Sequence, residues 1–325
     1  MKLNLTITRW LTILAFSVFS LTASTAFAQG SLTPPGAPVP TMKTLAQMEP
    51  RTPISSAPFT IANPGSYYLT TNLTVSSGNA ITIATNNVTL NLNGFTIAST
   101  TPSAAGTGVL LAGGNANIAI LNGFITGGVT NNAGVFGGSG FGNGIYWSGN
   151  SPSNVRVNGI SVSGCLNFGI CLPQGSCIVE SCTVTTVGNI GIQARTVANS
   201  TAMTCGYGGI YASTAHNSYG YGFTGSGLWA NVADNCQGTS STGVGLGAGN
   251  ANNCFGYSTS SNGLYATAAT TCTGASSTGT GISAMVASFS YGQSVSGTGL
   301  SATIANSCIG TGSPNLNVTN KYNMP

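Results

Sequence analysis

Gly227-Leu228-Trp229-Ala230-Asn231-Val232-Ala233-Asp234-Asn235-Cys236-Gln237-Gly238-Thr239-Ser240-Ser241-Thr242-Gly243-Val244 is one of seven consecutive segments built to one plan. The segments begin at Gly191, Gly209, Gly227, Gly245, Gly263, Gly281 and Gly299, always eighteen residues apart, and each opens with Gly, an aliphatic residue, a variable residue and Ala. A fixed period with fixed small and apolar places is the signature of stacked repeats, which cannot bury a face singly and do so together. Counting from each opening Gly, position 2 is Ile or Leu and position 4 is always Ala. Position 7 is Val197 and then six alanines, position 10 is Ser or Cys, and position 12 is Ala202 followed by six glycines. Positions 2 and 4 alternate around a variable position 3, the period of a strand with one buried face. Small inward residues fit a narrow coil. Glycines at positions 1, 12 and 17 suit tight corners or positive φ. No apolar stripe with a 3.6-residue period persists, which argues against helices.

Position 9 reads Asn199, Asn217, Asn235 and Asn253 in four successive segments. Stacked coils set about 4.8 Å apart would let these amides bond along the axis as a ladder. A left-handed hexapeptide solenoid also has eighteen residues per turn, but it repeats its inward pattern every six. Here the inward set at 2, 4, 7 and 10 makes the three sides differ, which favours an all-β, single-stranded, right-handed parallel β-helix with 18-residue coils in the C-terminal half.

Upstream, Gly108-Val109, Gly144-Ile145 and Gly169-Ile170 look like earlier openings of the same unit, at irregular spacings that imply longer loops, the largest around Val129–Asn143. Residues 29–53 form a Pro-rich linker or N-terminal cap, with room for a short helix at Met42–Met48, and strands are expected from near Phe59. Residues 1–28 read as a secretory signal peptide: Lys2 and Arg9, an apolar run from Trp10 to Leu21, and the small-x-small site Ala26-Phe27-Ala28. The expectation is a single β-helix domain over 54–325, secreted or held at the cell surface (extracellular or periplasmic), with no transmembrane segment.

Pro53-Ile54-Ser55-Ser56, Phe59-Thr60-Ile61, Gly65-Ser66-Tyr67-Tyr68-Leu69 and Val88-Thr89-Leu90-Asn91-Leu92-Asn93-Gly94-Phe95 resemble the opening of secreted bacterial right-handed β-helix repeat proteins of the pectate-lyase-like superfamily. The resemblance covers residues 50–125 and, more loosely, the repeats. It implies the fold and export, and no particular activity.

Only 3% of residues are charged, against roughly 25% in an average domain. Loss of residues 1–28 leaves five basic against three acidic residues. That is no footprint for nucleic acid, which needs clustered Lys and Arg. A Ser, Thr, Asn and Gly surface suits a polysaccharide, a cell-surface glycan, ice or the end of another solenoid. Gly-x-Gly-x-x-Ala at Gly225, Gly243, Gly279 and Gly297 resembles a dinucleotide fingerprint, but four copies in register with the repeat are solenoid corners. No cofactor and no metal is implied. The four cysteines Cys165, Cys171, Cys177 and Cys182 have no zinc spacing and are the best candidates for disulfides. Cys236, Cys254 and Cys272 share a column in which Ser also occurs, so they read as buried thiols filling a small slot, although a coil spacing of about 4.8 Å lies within the disulfide Cα range.

Candidate chemistry is sparse. Glu49, Glu180 and Asp234 are the whole acid inventory. Neither the calcium-binding acids of pectate lyases nor the aspartate set of polygalacturonases can be assembled from it. His216 and Asp234 share position 8 of adjacent coils, with Arg195 at position 5 one coil earlier. This is half of a proton-transfer device, or more plainly a surface pair running on into Asn252. The stronger candidates are aromatic. Tyr211, Trp229 and Tyr265 stand at outward position 3, with Tyr146 at the equivalent place upstream and Asn231 beside them as a donor. Such a stripe could bind sugar rings, or it could be cross-coil stacking alone. A notch is expected at Gly247, between Trp229 and Tyr265. Ser/Thr triplets at positions 14–16 raise ice binding as a minor alternative. The reading is an exported β-helix with a structural, adhesive or glycan-binding role. The alternative is a carbohydrate-active enzyme, a polysaccharide lyase or glycoside hydrolase, working on the strand face.

Overall fold

The computed structural model describes residues 50–172 and 175–324. The segment expected to be a signal peptide and most of the expected linker lie outside the described residues, as does Met42–Met48. The described chain is a parallel β-solenoid whose regular coils recur every 18 residues, with strands and no helices. Strands begin at Thr52–Ile54, earlier than the expected Phe59, and this first strand pairs in parallel with Gly65–Leu69.

Each regular coil carries a long strand over positions 2–8 and a short one over positions 11–14, such as Leu228–Asp234 and Gln237–Ser240. Equivalent residues face one another from coil to coil: Leu228 lies between Ile210 and Leu246, and Ala230 between Ala212 and Ala248. Pairing skips position 5 in every coil, where the long strand bends around a corner. The position 4 alanines point inward; Ala194, Ala230, Ala248, Ala266 and Ala302 are buried, while Ala212 and Ala284 are half-buried.

The lumen narrows along its length. The column that ends in glycine starts with Leu73 and continues through Ile97, Ile125, Val162, Val184 and Ala202 to Gly220, Gly238, Gly256 and onward to Gly310. A second inward column falls from Leu90 and Ile120 through three valines to Ala215. The early coils hold an aliphatic core of ordinary width. The late coils press their two strands together.

That narrowing corrects the expectation for glycine. Positive φ is not found at positions 1, 12 and 17 of the regular coils. A Cβ on Gly227 would stand 2.2 Å from the Thr239 nitrogen across the lumen, and one on Gly238 would stand 2.2 Å from the Gly245 oxygen of the next coil. These glycines exist because backbone passes where a side chain would be. Positive φ falls instead on position 9 of all seven coils, with φ between 46° and 52° at Asn199, Asn217, Asn235, Asn253, Thr271, Phe289 and Ser307. Asn tolerates the left-handed region better than most residues, which is a second reason for the Asn run. The amide ladder is also present: Asn217 donates to Asn199 (3.2 Å), Asn235 to Asn217 (2.7 Å) and Asn253 to Asn235 (3.0 Å).

Candidate functional site

The face that carries the aromatic residues is the outward side of the long strands. Strand register places Leu110, Tyr146, Cys171, Gln193, Tyr211, Trp229, Gly247, Tyr265, Ser283 and Ser301 in one column. All four aromatic candidates therefore lie on one line, and Tyr146 to Tyr265 spans six coil steps, about 29 Å.

Side-chain directions differ from the simple stripe. Trp229 is 38% exposed and Tyr265 46% exposed. Their rings stack with centroids 6.3 Å apart and planes 15° from parallel. They meet across Gly247 because Trp229 leans over it: a Cβ on Gly247 would stand 2.1 Å from Trp229 Cε3. The expected notch is thus filled by the indole, and the two rings make one continuous platform. Tyr211 turns away from Trp229 and stacks on Tyr207 at 5.9 Å, and its hydroxyl accepts the Ser226 N–H at 3.2 Å. Burial pushes the Tyr211 phenol up to about 12. Tyr146 sits between Trp147 (5.1 Å) and Phe168 (5.8 Å). Arg195 and Asn231 are exposed at the position 5 corner, Asn231 in the same coil as Trp229 and Arg195 two coils earlier.

The polar candidates form a row one sheet away. His216 Nδ1 lies 3.8 Å from Asp234 Oδ2, with the two side chains 43% and 47% exposed, and Asn252 donates to Asp234 Oδ1 at 2.8 Å. Glu180 sits in the same column, next to Ala198, where Arg156 approaches it at 3.5 Å and Asn158 donates at 3.3 Å. Three coil steps separate Glu180 from Asp234, about 14 Å. That exceeds the roughly 5–9.5 Å used by paired carboxylates in glycoside hydrolysis. Each acid is held by its neighbours as part of a polar ladder.

The Ser/Thr array is divided: position 14 points inward, while Thr242, Thr259, Ser260 and Thr278 are exposed on the outward face that was expected. The position 14 serines Ser240, Ser258, Ser276 and Ser294 are buried. Each accepts a backbone N–H of position 17 in its own coil and donates to the position 17 carbonyl of the coil before, as Ser240 does with Gly243 (2.9 Å) and Gly225 (2.6 Å). Thr242, Ser260, Thr278 and Ser296 donate to carbonyls of the preceding coil.

All nine cysteines are buried, and Cys165, Cys171 and Cys182, three of the four expected to pair, are thiols. The position 10 slot has a definite use. Its hydroxyl or thiol donates to the position 8 carbonyl, bridging the left-handed residue between them, as in Ser218 to His216 (2.7 Å), Cys236 to Asp234 (3.2 Å) and Cys254 to Asn252 (3.1 Å).

One feature was not visible in the sequence. A groove of about 470 Å³ runs along this corner, with Asn217, Asn235 and Asn253 on one wall, Tyr219, Gln237 and Phe255 on the other, and Cys236 and Cys254 among its lining. Among the described residues no three His, Cys, Asp or Glu side chains converge on a metal site, and no helix is long and apolar enough to cross a membrane. Comparison with protein families, curated proteins and solved structures finds no match to this chain.

Proposed function

We propose that this chain is an exported, non-catalytic β-helix protein that binds a neutral or weakly acidic glycan along the position 3 column. The observation that carries the reading is the Trp229–Tyr265 platform. Two stacked aromatic rings, each more than a third exposed, lie on a sheet with exposed Asn231 in the Trp229 coil, and Arg195 is exposed on the same corner two coils earlier. The C–H faces of sugar rings pack on aromatic faces, and their hydroxyls need donors at the edge. A surface with so few charges offers little to polyanions. Export rests on the character of residues 1–28.

The enzyme reading has weaker support. His216 and Asp234 are adjacent, but Asn252 also holds Asp234, and Glu180 is three coils away. Self-association through the solenoid ends is a further partner reading. The last described strand, Leu316–Tyr322, pairs with Leu300–Asn306, and no other strand among the described residues pairs with it.

A glycan array probed with residues 29–325 tests the proposal. Retention of one or more polysaccharides by the native protein, lost in Trp229→Ala without a change in thermal midpoint, is the expected result. Release of reducing ends or unsaturated uronides from a retained polysaccharide would favour the enzyme. No retention of any glycan, with a fallen midpoint in Trp229→Ala, would make the platform structural.

A further inference from the structure

The thiols of Cys236, Cys254 and Cys272 fill the same slot of three successive coils, where pairing of the flanking strands is in register: Asp234 faces Asn252 and Asn252 faces Thr270, then Gln237 faces Phe255 and Phe255 faces Thr273. The residues are therefore stacked about 4.8 Å apart with parallel Cα–Cβ directions. A disulfide needs its Cβ atoms about 3.5–4.5 Å apart, so bridging two coils would require them to close slightly although their Cα spacing is permissive, and the three thiols are free. The same spacing suits a different bond. A soft metal bound by two thiolates at about 2.3 Å each places its sulfurs about 4.6 Å apart, close to the coil repeat.

We propose that this column is a binding site for a soft monovalent cation of the copper(I) type, held linearly between the sulfurs of neighbouring coils, with Cys254 as the sulfur common to both pairs. Thiolate ligands select such ions over harder ones. Cys236 and Cys254 line the corner groove, which gives an ion its way in from solvent. The lack of any three-ligand cluster is in keeping with two-coordinate binding and with poor affinity for zinc. Binding one cation between two thiols forms two metal–sulfur bonds and releases two protons, with no change in oxidation state.

The column supplies its own controls. Ser occupies the slot at Ser200, Ser218 and Ser290, with the same hydrogen bond to the position 8 carbonyl, so Cys→Ser is a substitution the fold already uses. The probe is silver(I), a redox-inert stand-in, titrated into the reduced protein with native mass spectrometry and a competing thiol. Cys254→Ser leaves no adjacent thiols in the column and should lower silver affinity at least a hundredfold. Cys236→Ser and Cys272→Ser each keep one adjacent pair and should lose less than tenfold. Cys308→Ser, separated from Cys272 by Ser290, should match the native protein. The double variant Cys236→Ser/Cys272→Ser isolates Cys254 and should behave as Cys254→Ser does, which decides the matter if the single variant folds poorly. Unchanged affinity in Cys254→Ser or in the double variant overturns the proposal. So does an equal loss in Cys308→Ser.

Discussion

Adding one methyl group at Gly238 and one at Gly247 should have different consequences. In Gly238→Ala the new Cβ would stand 2.2 Å from the Gly245 oxygen, 2.8 Å from its carbon and 3.0 Å from the Leu228 nitrogen. All three are backbone atoms held in ladders to neighbouring coils, so no side chain can swing aside. Relief requires a shift of about 1 Å in two strands, and overpacking of this kind costs about 1–3 kcal/mol. For a domain near this size, that corresponds to roughly 2–12 °C in Tm. In Gly247→Ala the three atoms nearest the new Cβ all belong to the Trp229 ring, the first at 2.1 Å, so a side chain rather than backbone has to give way. Stability should fall by no more than the about 0.5–1.5 kcal/mol that an aromatic pair is worth, while the Trp229–Tyr265 stack opens. Thermal unfolding followed by circular dichroism reads the first effect, and tryptophan fluorescence with glycan retention reads the second. A silent Gly238→Ala would mean that the late coils are not pressed together as described. A Gly247→Ala with unchanged fluorescence would mean that Trp229 does not lean over that position.

Further expectations follow from the columns. Ala248→Leu enlarges a buried, inward residue of the narrow lumen and should cost about 1–3 kcal/mol, read by the same melt; a neutral result would place position 4 outside the core. Asp234→Asn should change stability by under about 1 kcal/mol, because the His216 pair is nearly half exposed, and should leave any hydrolytic activity unaltered; a hundredfold loss of turnover would revive the enzyme reading. Thr271 is a β-branched residue at φ 52°, so Thr271→Asn should raise stability by up to about 1 kcal/mol while extending the amide ladder by one rung. Alkylation under denaturing, non-reducing conditions should label Cys236, Cys254 and Cys272 as free thiols; recovery of these peptides as disulfides would refute the spacing argument.

The parallel coil was legible because its cause is periodic. Position 2 and position 4 residues recur at one interval, and only stacking buries them all. The Asn run at position 9 was equally open to reading, although the ladder was recognised and the backbone conformation was not. Asn, Thr, Phe and Ser share no side-chain chemistry that would reveal a common φ. The narrowing lumen was hidden because its first half lies in coils of irregular length. Ile97, Ile125 and Val162 cannot be aligned with Gly238 until strand pairing supplies the register. The aromatic column was correctly placed in register and wrongly drawn in side-chain direction. Whether Trp229 bends toward Gly247 or Tyr211 depends on which neighbour leaves room, a property of three coils together. The groove at the Asn corner is likewise a shape between coils, with no sequence signal of its own.

In a repeat protein the copies can be compared with one another, and the columns then separate what holds the fold from what is free to serve something else. Positions 2, 4, 7, 10, 12 and 14 hold narrow sets of residues, and each has a structural task that explains the restriction: apolar filling at 2, 4 and 7, carbonyl bridging at 10, close backbone approach at 12, and the buried hydroxyl bridge at 14. Nearly every buried polar side-chain atom among the described residues has a partner, the exception being Asn143 Oδ1, so the Ser and Thr content is largely explained by the coil itself. Position 3 behaves differently. It runs Gln193, Tyr211, Trp229, Gly247, Tyr265, Ser283, Ser301 along one outward column in which only Trp229 and Tyr265 are exposed, with no common size, polarity or hydrogen-bonding task. Had cross-coil stacking been its purpose, aromatic residues would be expected at successive places, with no glycine between the two that meet. Instead, a glycine sits where the indole needs room, and the next two coils carry serine. The aromatic surface is therefore confined to a few coils of an otherwise regular repeat, and it is on those coils that the proposed glycan reading has to be tested.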